Sequence, residues 1–273
     1  MFRKLLAFFK LYRADVLLLS FLAFFAGRIL GKGGFSPLFL IQAIFISLFP
    51  YNFVYTLNSI TDIAEDSKNK PWRPLPAKII QKNEAVLWLL FLVLGSISGT
   101  VVLFNGLEKL LIFLIMFFGV SYSLPPLILK KRGILARFVT GFGITYPMAV
   151  AGGADFLPFS AALLLHVIGV TWLKDLSDSE GDILAGRKAQ NSSDITKECL
   201  ISAVFMAFSI PAFLFTPIKI AVIMPVFSLF VLFFSLFFDS GKFKKKIYSR
   251  IILTTAVAAV VAFSFLLIKK FFH

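Results

Sequence analysis

The sequence predicts an all-α integral membrane protein with about nine transmembrane helices. Apolar residues make up 59% of the 273 positions and charged residues 15%, whereas soluble domains are about 45–50% apolar and about 25% charged. Long apolar runs recur along the chain, and each is close to the roughly 20 residues that a helix needs to cross a bilayer. The composition therefore argues against a soluble enzyme, and a single polytopic domain over residues 1–273 is expected.

The first predicted element is an interfacial amphipathic helix over residues 1–13. Phe2, Leu5 and Phe9 recur at helical spacing, and basic residues lie between them. A helix with this pattern lies in the plane of the membrane surface rather than across it.

Nine apolar runs follow this segment, and each is predicted to be a membrane-spanning helix. Glycine, proline and charged clusters separate the runs, as is typical of residues that end helices. The approximate spans are 14–30, 38–60, 84–104, 108–124, 134–152, 157–177, 198–215, 218–238 and 249–270.

The distribution of basic residues predicts the topology. If the amino terminus lies inside, 22 of the 28 Lys and Arg residues fall in inside segments and six fall outside. Because cytoplasmic segments carry this excess, we expect the amino terminus and the polar clusters on the cytoplasmic side of the plasma membrane. Basic loops that face anionic lipid also explain the net charge of +14, so no nucleic-acid partner is expected.

Two residue types that often carry chemistry are assigned packing roles. Cys199 is the single cysteine, which excludes an intramolecular disulfide and a multi-cysteine metal site. His166 lies inside an apolar run, so we expect it to be packed and hydrogen-bonded to a neighbour.

The stretch NSITDIAEDSKNKPWRPLP, residues 58–76, is unusually polar for this chain. Asn58, Asp62 and Asp66 are four residues apart, so they share one face of a helix, each about 6 Å above the last. Amide and carboxylate oxygens suit Mg²⁺, which prefers one or two carboxylates together with substrate phosphates.

A second acidic cluster follows the sixth predicted span. Asp175, Asp178 and Asp182 again share one helical face. An ionised group at the membrane boundary is costly unless it is paired or bound to a cation. Both clusters lie on the predicted cytoplasmic side, where two facing carboxylate columns could hold a diphosphate through divalent metal.

Basic residues close to both clusters complete the candidate site. Diphosphate oxygens that metal does not hold need cationic donors, and the candidates are Lys68, Arg73, Lys130 and Lys174. Any one of them could instead be a topology anchor, and either acidic cluster alone could be a solvated helix end. The two clusters together favour a metal–diphosphate site.

Three motifs together resemble the UbiA superfamily of intramembrane prenyltransferases. They are the stretch at 58–76, SYSLPPLILKKRG at 121–133 and WLKDLSDSEGD at 172–182. The resemblance implies a helical bundle around a central cavity, capped on the cytoplasmic side. It also implies Mg²⁺ ligands in both motifs, namely Asn58, Asp62, Asp66, Asp175, Asp178 and Asp182.

The resemblance further implies an activity. A prenyl group, for example from geranyl or geranylgeranyl diphosphate, would pass to a lipophilic acceptor, with Arg73 and Lys130 on the diphosphate. Tyr122 would lie near the reacting carbon, with Tyr51 and Tyr55 behind it, because aromatic faces stabilise cations. Asp62, Asp66, Asp178, Asp182 and Tyr122 are thus the expected catalytic residues. The acceptor stays open between an aromatic acid or quinone precursor, a tetrapyrrole propionate and the hydroxyl of a glycerol-phosphate lipid.

Two other functions are weighed against this one. A CDP-alcohol phosphotransferase also places Asp-rich motifs at a membrane face, but its pattern needs Gly where Ser179 follows Asp178. A cation-coupled transporter would use acidic residues near the bilayer midplane, whereas here they gather at one predicted face.

Overall fold

The structure of the protein is a computed structural model. Helices are the only regular secondary structure in the part of the chain that it describes. It describes residues 7–8, 10–11, 14–31, 36–173, 192–216 and 218–238 and positions 250, 251, 253, 255 and 258. The chain folds as two compact units, Met1–Leu157 and Pro158–His273. The prediction of one domain over the whole chain stays a prediction.

Ten α-helices lie within the described ranges, and short 3₁₀ turns connect some of them. In chain order they are α1 (Ala14–Leu30), α2 (Pro37–Leu48), α3 (Pro50–Thr61), α4 (Ile63–Asn69), α5 (Lys82–Leu103), α6 (Gly106–Ser123), α7 (Ile134–Gly152), α8 (Leu157–Trp172), α9 (Ser192–Leu214) and α10 (Ile223–Phe238).

Six helical segments of the described part are long and apolar enough to cross a membrane, which agrees with an integral membrane protein. They are Pro37–Thr61, Lys82–Leu103, Gly106–Ser123, Ile134–Gly152, Ala154–Trp172 and Lys197–Leu214. Two further apolar helices, Leu17–Leu30 and Ile220–Phe234, are shorter. The span predicted at 249–270 lies largely outside the described residues, so the number nine stays a prediction.

The span predicted at 38–60 lies within one apolar segment, Pro37–Thr61, but its helix is interrupted at Phe49. Phe49 ends α2 with φ −109° and ψ −73°, and Pro50 is the first residue of α3. Proline has no N–H to donate to the preceding turn and its ring clashes there, so it interrupts a helix and is tolerated at the start of one. This break sets the direction of α3, which carries the first polar cluster.

Small residues let helices of the first unit approach closely. Gly27 on α1 and Gly31, directly after the end of α1, are four residues apart, and a Cβ at Gly27 would lie 2.2 Å from the carbonyl oxygen of Met148 on α7. A Cβ at Gly31 would lie 2.7 Å from Cα of Gly152. Spacing of this kind is how membrane helices pack backbone against backbone.

The Gly27→Ala variant is expected to be less heat-stable than the parent protein by several degrees. Its added methyl group would overlap the α7 backbone, and overpacking typically costs about 1–3 kcal/mol. Fluorescence-detected size exclusion after heating measures the effect in detergent. Gly143→Ala is the matched control, because its Cβ would meet Cδ1 of Ile115 at an ordinary 3.6 Å. Equal melting of the two variants would contradict the close packing of α1 on α7.

The second unit is held together by close contacts between helices and by hydrogen-bonded polar groups in its interior. Ser202 on α9 donates to the carbonyl oxygen of Gly169 on α8 at 2.7 Å. His166 is fully buried, and its Nε2 lies 3.3 Å from Oγ1 of Thr255, which lies 3.0 Å from Oγ of Ser228. The expectation that His166 is packed and hydrogen-bonded is confirmed.

The described part of the amino-terminal segment packs on the loop that follows the first polar cluster. Ala7 and Leu11 are buried and form one apolar cluster with Leu75, Ile80 and Ala85. This contact ties the loop at 70–81 to the start of α5. The placement of residues 1–13 in the membrane surface stays a prediction.

Candidate active site

The first predicted motif forms the expected column at the end of α3. Asp62 separates α3 from α4, with φ −101° and ψ 12°. The hydrogen bonds nevertheless continue across this joint, from Asp62 N to Asn58 O at 3.0 Å and from Asp66 N to Asp62 O at 2.7 Å. The spacing of one helical turn is therefore kept, and Asn58, Asp62 and Asp66 lie one above the other.

Asp66 forms an ion pair with Arg73, one of the basic residues that the sequence placed close to the clusters. Arg73 Nη1 lies 2.6 Å from Asp66 Oδ2, and the side chain of Asp66 is only 8% exposed. The turn that returns the chain is closed by hydrogen bonds from Arg73 N to Lys70 O and from Ala77 N to Arg73 O. The loop thus places the guanidinium group of Arg73 against the carboxylate of Asp66.

Asp62 forms an ion pair with Lys130, which lies 68 positions further along the chain. Lys130 Nζ donates to Asp62 Oδ1, and both side chains are largely shielded from solvent. Lys130 belongs to a single 3₁₀ turn, Leu129–Lys131, which begins after Ile128 in a left-handed conformation (φ 40°). This compact turn after α6 presents the lysine to α3.

Asn58 contacts the end of α6. Ser123 is buried, and its Oγ lies 3.4 Å from Asn58 Oδ1. Tyr122 is its half-buried neighbour in the same last turn of α6. Sequence reasoning singled out Tyr122 and missed Ser123, although both lie in the SYSLPP motif.

A stack of tyrosines extends from the polar column into the first unit. Tyr51 and Tyr55 precede Asn58 by seven and three residues, so the three side chains share one face of α3. The Tyr51 and Tyr55 ring centroids lie 6.2 Å apart, and Tyr51 stacks on Tyr146 of α7 at 5.3 Å. Tyr51 also donates its hydroxyl hydrogen to the carbonyl oxygen of Gly143.

Tyr146 lies next to the candidate site, but the sequence analysis did not identify it as a candidate residue. It is fully buried in α7, and its hydroxyl oxygen has no hydrogen-bond partner within the described part of the chain. No motif marks it, because a lone tyrosine in an apolar run also fits lipid contact or core packing. Its contact with Tyr51 follows from how α7 packs against α3.

The remaining predicted residues are either peripheral or outside the described ranges. Lys68 lies in the last turn of α4 and is exposed. The second motif, with Lys174, Asp175, Asp178 and Asp182, lies outside the described residues. The expectation that it faces the first motif stays a prediction.

The donor set of the first motif fits part of a Mg²⁺ site. Within the described residues no group of three or more His, Cys, Asp or Glu side chains could hold a metal by itself. Two carboxylates and one amide oxygen are nevertheless the number of protein ligands that Mg²⁺ takes when substrate phosphates supply others. The ion pairs with Lys130 and Arg73 also place anion-binding groups beside these oxygens, so the cluster can receive a metal–phosphate complex.

The fold and this cluster define a polytopic α-helical membrane protein with paired carboxylates and cations at the end of one helix. The chain belongs to the UbiA prenyltransferase family, whose sequence profile matches residues 18–251.

Curated relatives of the chain include several named prenyltransferases and synthases. It is 31% identical over 161 residues to a probable homogentisate phytyltransferase 2 of Oryza sativa, covering 53% of this chain and 41% of that protein. It is 25% identical over 226 residues to a digeranylgeranylglyceryl phosphate synthase of Sulfolobus acidocaldarius, covering 76% and 78%. The matches to the rice enzyme and to a Methanosarcina mazei synthase (46% of that protein) thus span less than half of those relatives.

Two solved structures have the same fold over nearly the whole chain. A digeranylgeranylglyceryl phosphate synthase superposes with a TM-score of 0.74 at 20% identity, covering 95% of this chain and 97% of that chain. A UbiA homologue of Archaeoglobus fulgidus bound to DMAPP and Mg²⁺ superposes with a TM-score of 0.69 at 16% identity, covering 94% and 98%.

Proposed function

We propose that the protein transfers a prenyl group from a prenyl diphosphate to a lipophilic acceptor within the membrane and releases diphosphate. The observation that carries the proposal is the assembly at the end of α3. There, Asp62 and Asp66 are paired with Lys130 and Arg73, which come from two separate loops. Carboxylate oxygens next to cationic side chains suit a diphosphate that is held partly by metal and partly by those cations.

Each group of the cluster has a separate task in this reaction. Asn58, Asp62 and Asp66 hold Mg²⁺, and Asp175, Asp178 and Asp182 provide the second half of the site. Lys130 and Arg73 bind diphosphate oxygens, and Lys68 and Lys174 supplement their charge. Bound Mg²⁺ supplies positive charge that stabilises the leaving diphosphate.

The bond changes follow from the allylic nature of the donor. The bond between C1 of the prenyl chain and the diphosphate oxygen breaks, and its electron pair leaves with the oxygen. The acceptor forms a new bond to C1 and loses one proton. Tyr122, with Tyr51 and Tyr55 behind it, stabilises the positive charge on the prenyl group through ring faces, and the apolar surroundings exclude water.

The proposal extends to the acceptor, the length of the donor chain and the location of the reaction. Relatives named as digeranylgeranylglyceryl phosphate synthases and as homogentisate prenyltransferases support either a glycerol-phosphate lipid hydroxyl or an aromatic quinone precursor. The donor chain is geranyl to geranylgeranyl in length. We place the reaction on the cytoplasmic side of the plasma membrane, in a central cavity of a nine-helix bundle that residues 1–273 form.

Purified protein in detergent should release diphosphate from geranylgeranyl diphosphate when Mg²⁺ and a suitable acceptor are present. Mass spectrometry of products against a panel of glycerol-phosphate lipids and aromatic acids identifies the acceptor. Release of CMP from a CDP-activated alcohol, with no prenylated product from any acceptor, would contradict the proposal.

Removal of metal is expected to stop the reaction without unfolding the protein. Excess EDTA should reduce turnover by at least about a hundredfold, because the leaving group loses its charge compensation. Mg²⁺ added back should restore activity, while the elution volume in size exclusion stays the same throughout. Full turnover in EDTA would contradict the assigned role of Asn58, Asp62 and Asp66.

A further inference from the structure

Trp72 is the most exposed aromatic side chain of the loop that carries Arg73. The indole is 73% exposed, and its neighbour Pro71 is exposed as well. Large apolar side chains in water are unfavourable, so an exposed tryptophan beside the Arg73–Asp66 ion pair needs a partner.

The exposure of Trp72 does not come from a loosely attached loop. Arg73 N donates to Lys70 O at 3.0 Å, which closes a tight turn around Trp72. On the carboxyl side of this turn, Pro74 and Leu75 are buried. Arg73 is held by Asp66 at 2.6 Å, so the backbone on either side of the indole is fixed.

The loop lies at the edge of an exposed apolar surface. Leu75 and Ile80 pack on Ala85 in the first turn of α5. The next residues of α5 include exposed apolar side chains, with Leu87 at 68% and Leu90 at 53%. Because a helix rises about 1.5 Å per residue, the apolar surface begins within roughly 5 Å of this packing contact.

An apolar surface groove lies beside the same contact. It is lined by Phe8, Glu84, Leu87, Trp88 and Phe91. Phe8 and Trp88 also border the cluster of Leu75 and Ile80. The groove continues the exposed apolar surface of α5 up to the level of the loop.

The charge around Trp72 is basic. Lys68, Lys78 and Lys82 are exposed in the same segment. Of the acidic side chains in this segment, Glu65 is half-buried, Asp62 and Asp66 are in ion pairs, and Glu84 accepts from Gln81 N in the capping of α5. The segment that carries the indole thus offers exposed cations.

We propose that Trp72 and the exposed lysines of this loop form an interfacial anchor that inserts into the anionic headgroup layer of the membrane. Tryptophan prefers this layer because its ring is apolar and its N–H is polar, and lysines attract anionic lipid. The anchor holds the Arg73 loop at headgroup depth, beside the end of α3.

A soluble protein partner fits this surface less well. A stable protein interface buries about 800 Å² on each partner, whereas one aromatic side chain supplies at most about 250 Å². A single exposed indole in a segment with exposed lysines matches a headgroup layer, which needs no complementary groove.

Depth-dependent quenching of Trp72 fluorescence tests the anchor. The Trp88→Phe/Trp172→Phe variant keeps Trp72 as its single tryptophan and is reconstituted into vesicles of 3:1 phosphatidylcholine and phosphatidylglycerol. Spin labels at the headgroup should quench its emission at least about threefold more than labels at carbon 12 of the acyl chain. If this variant does not fold, the difference between the parent protein and Trp72→Phe supplies the same signal.

Water access and lipid charge provide two further readouts. Acrylamide should quench Trp72 severalfold less in vesicles than it quenches free N-acetyltryptophanamide. Headgroup quenching should weaken when phosphatidylglycerol is omitted or when Lys68 and Lys78 are replaced by Gln. Acrylamide quenching equal to that of the free indole would place Trp72 in water, and stronger quenching at carbon 12 would place it in the hydrocarbon. Either result overturns the proposal, and neither depends on the prenyltransfer reaction.

Discussion

Asp62→Asn is expected to lower turnover of prenyl diphosphate by about a hundredfold to a thousandfold. Asp62 sits at the joint of α3 and α4 and accepts from Lys130. The amide keeps the shape but loses the charge that is proposed to bind Mg²⁺ and that pairs with the lysine, and loss of one such electrostatic group costs about 10²–10³-fold in rate. Release of radiolabelled diphosphate at saturating Mg²⁺ measures the effect.

A carboxylate remote from the cluster serves as the control for this variant. Asp155 is exposed in a 3₁₀ turn after the end of α7, whereas Lys130 lies just before the start of α7. The 19 residues of α7 correspond to a length of about 28 Å. Asp155→Asn should therefore keep full turnover. If Asp62→Asn remained within twofold of the parent protein, the proposed diphosphate site would be wrong.

Lys130→Gln is expected to raise the KM for prenyl diphosphate by about 10–100-fold and to lower kcat as well. A charge-assisted hydrogen bond to an anion contributes about 1.5–3 kcal/mol, and the lysine is held in place at the motif by Asp62. Initial rates over a range of donor concentrations separate the two parameters.

The adjacent lysine provides the matched control for Lys130. Lys131 belongs to the same 3₁₀ turn but is exposed, so Lys131→Gln removes the same charge from the same loop. Its KM should change by less than about threefold, the effect of one surface charge at ordinary ionic strength. Equal effects of the two substitutions would show that only the total charge of the loop matters.

Local periodicity was sufficient to predict the first motif. A spacing of four residues places Asn58, Asp62 and Asp66 on one helical face whatever surrounds them, and the backbone hydrogen bonds across Asp62 keep that spacing. The apolar runs predicted most helices in a similar way, because the length needed to cross a bilayer is the same everywhere. The break at Phe49 was missed, although Pro50 signalled it.

Contacts between distant segments could not be read from these patterns. The family resemblance singled out Lys130 for the diphosphate, but no local pattern indicated that Lys130, and not Lys131, would meet Asp62. Only the turn after α6 decides which of the two reaches Asp62. The contacts of Ser123 with Asn58 and of Tyr146 with Tyr51 likewise depend on how α6 and α7 pack against α3.

The amino-acid sequence alone thus predicted a helical membrane protein, its family resemblance and the residue types of the proposed metal–diphosphate site. These properties depend on composition, on helical spacing and on short motifs, all of which are local. The tertiary structure decided the partners of the first motif and the exposure of Trp72. Side chains far apart in the chain meet only after helices have packed, and the packing depends on close approaches such as that of Gly27 to Met148.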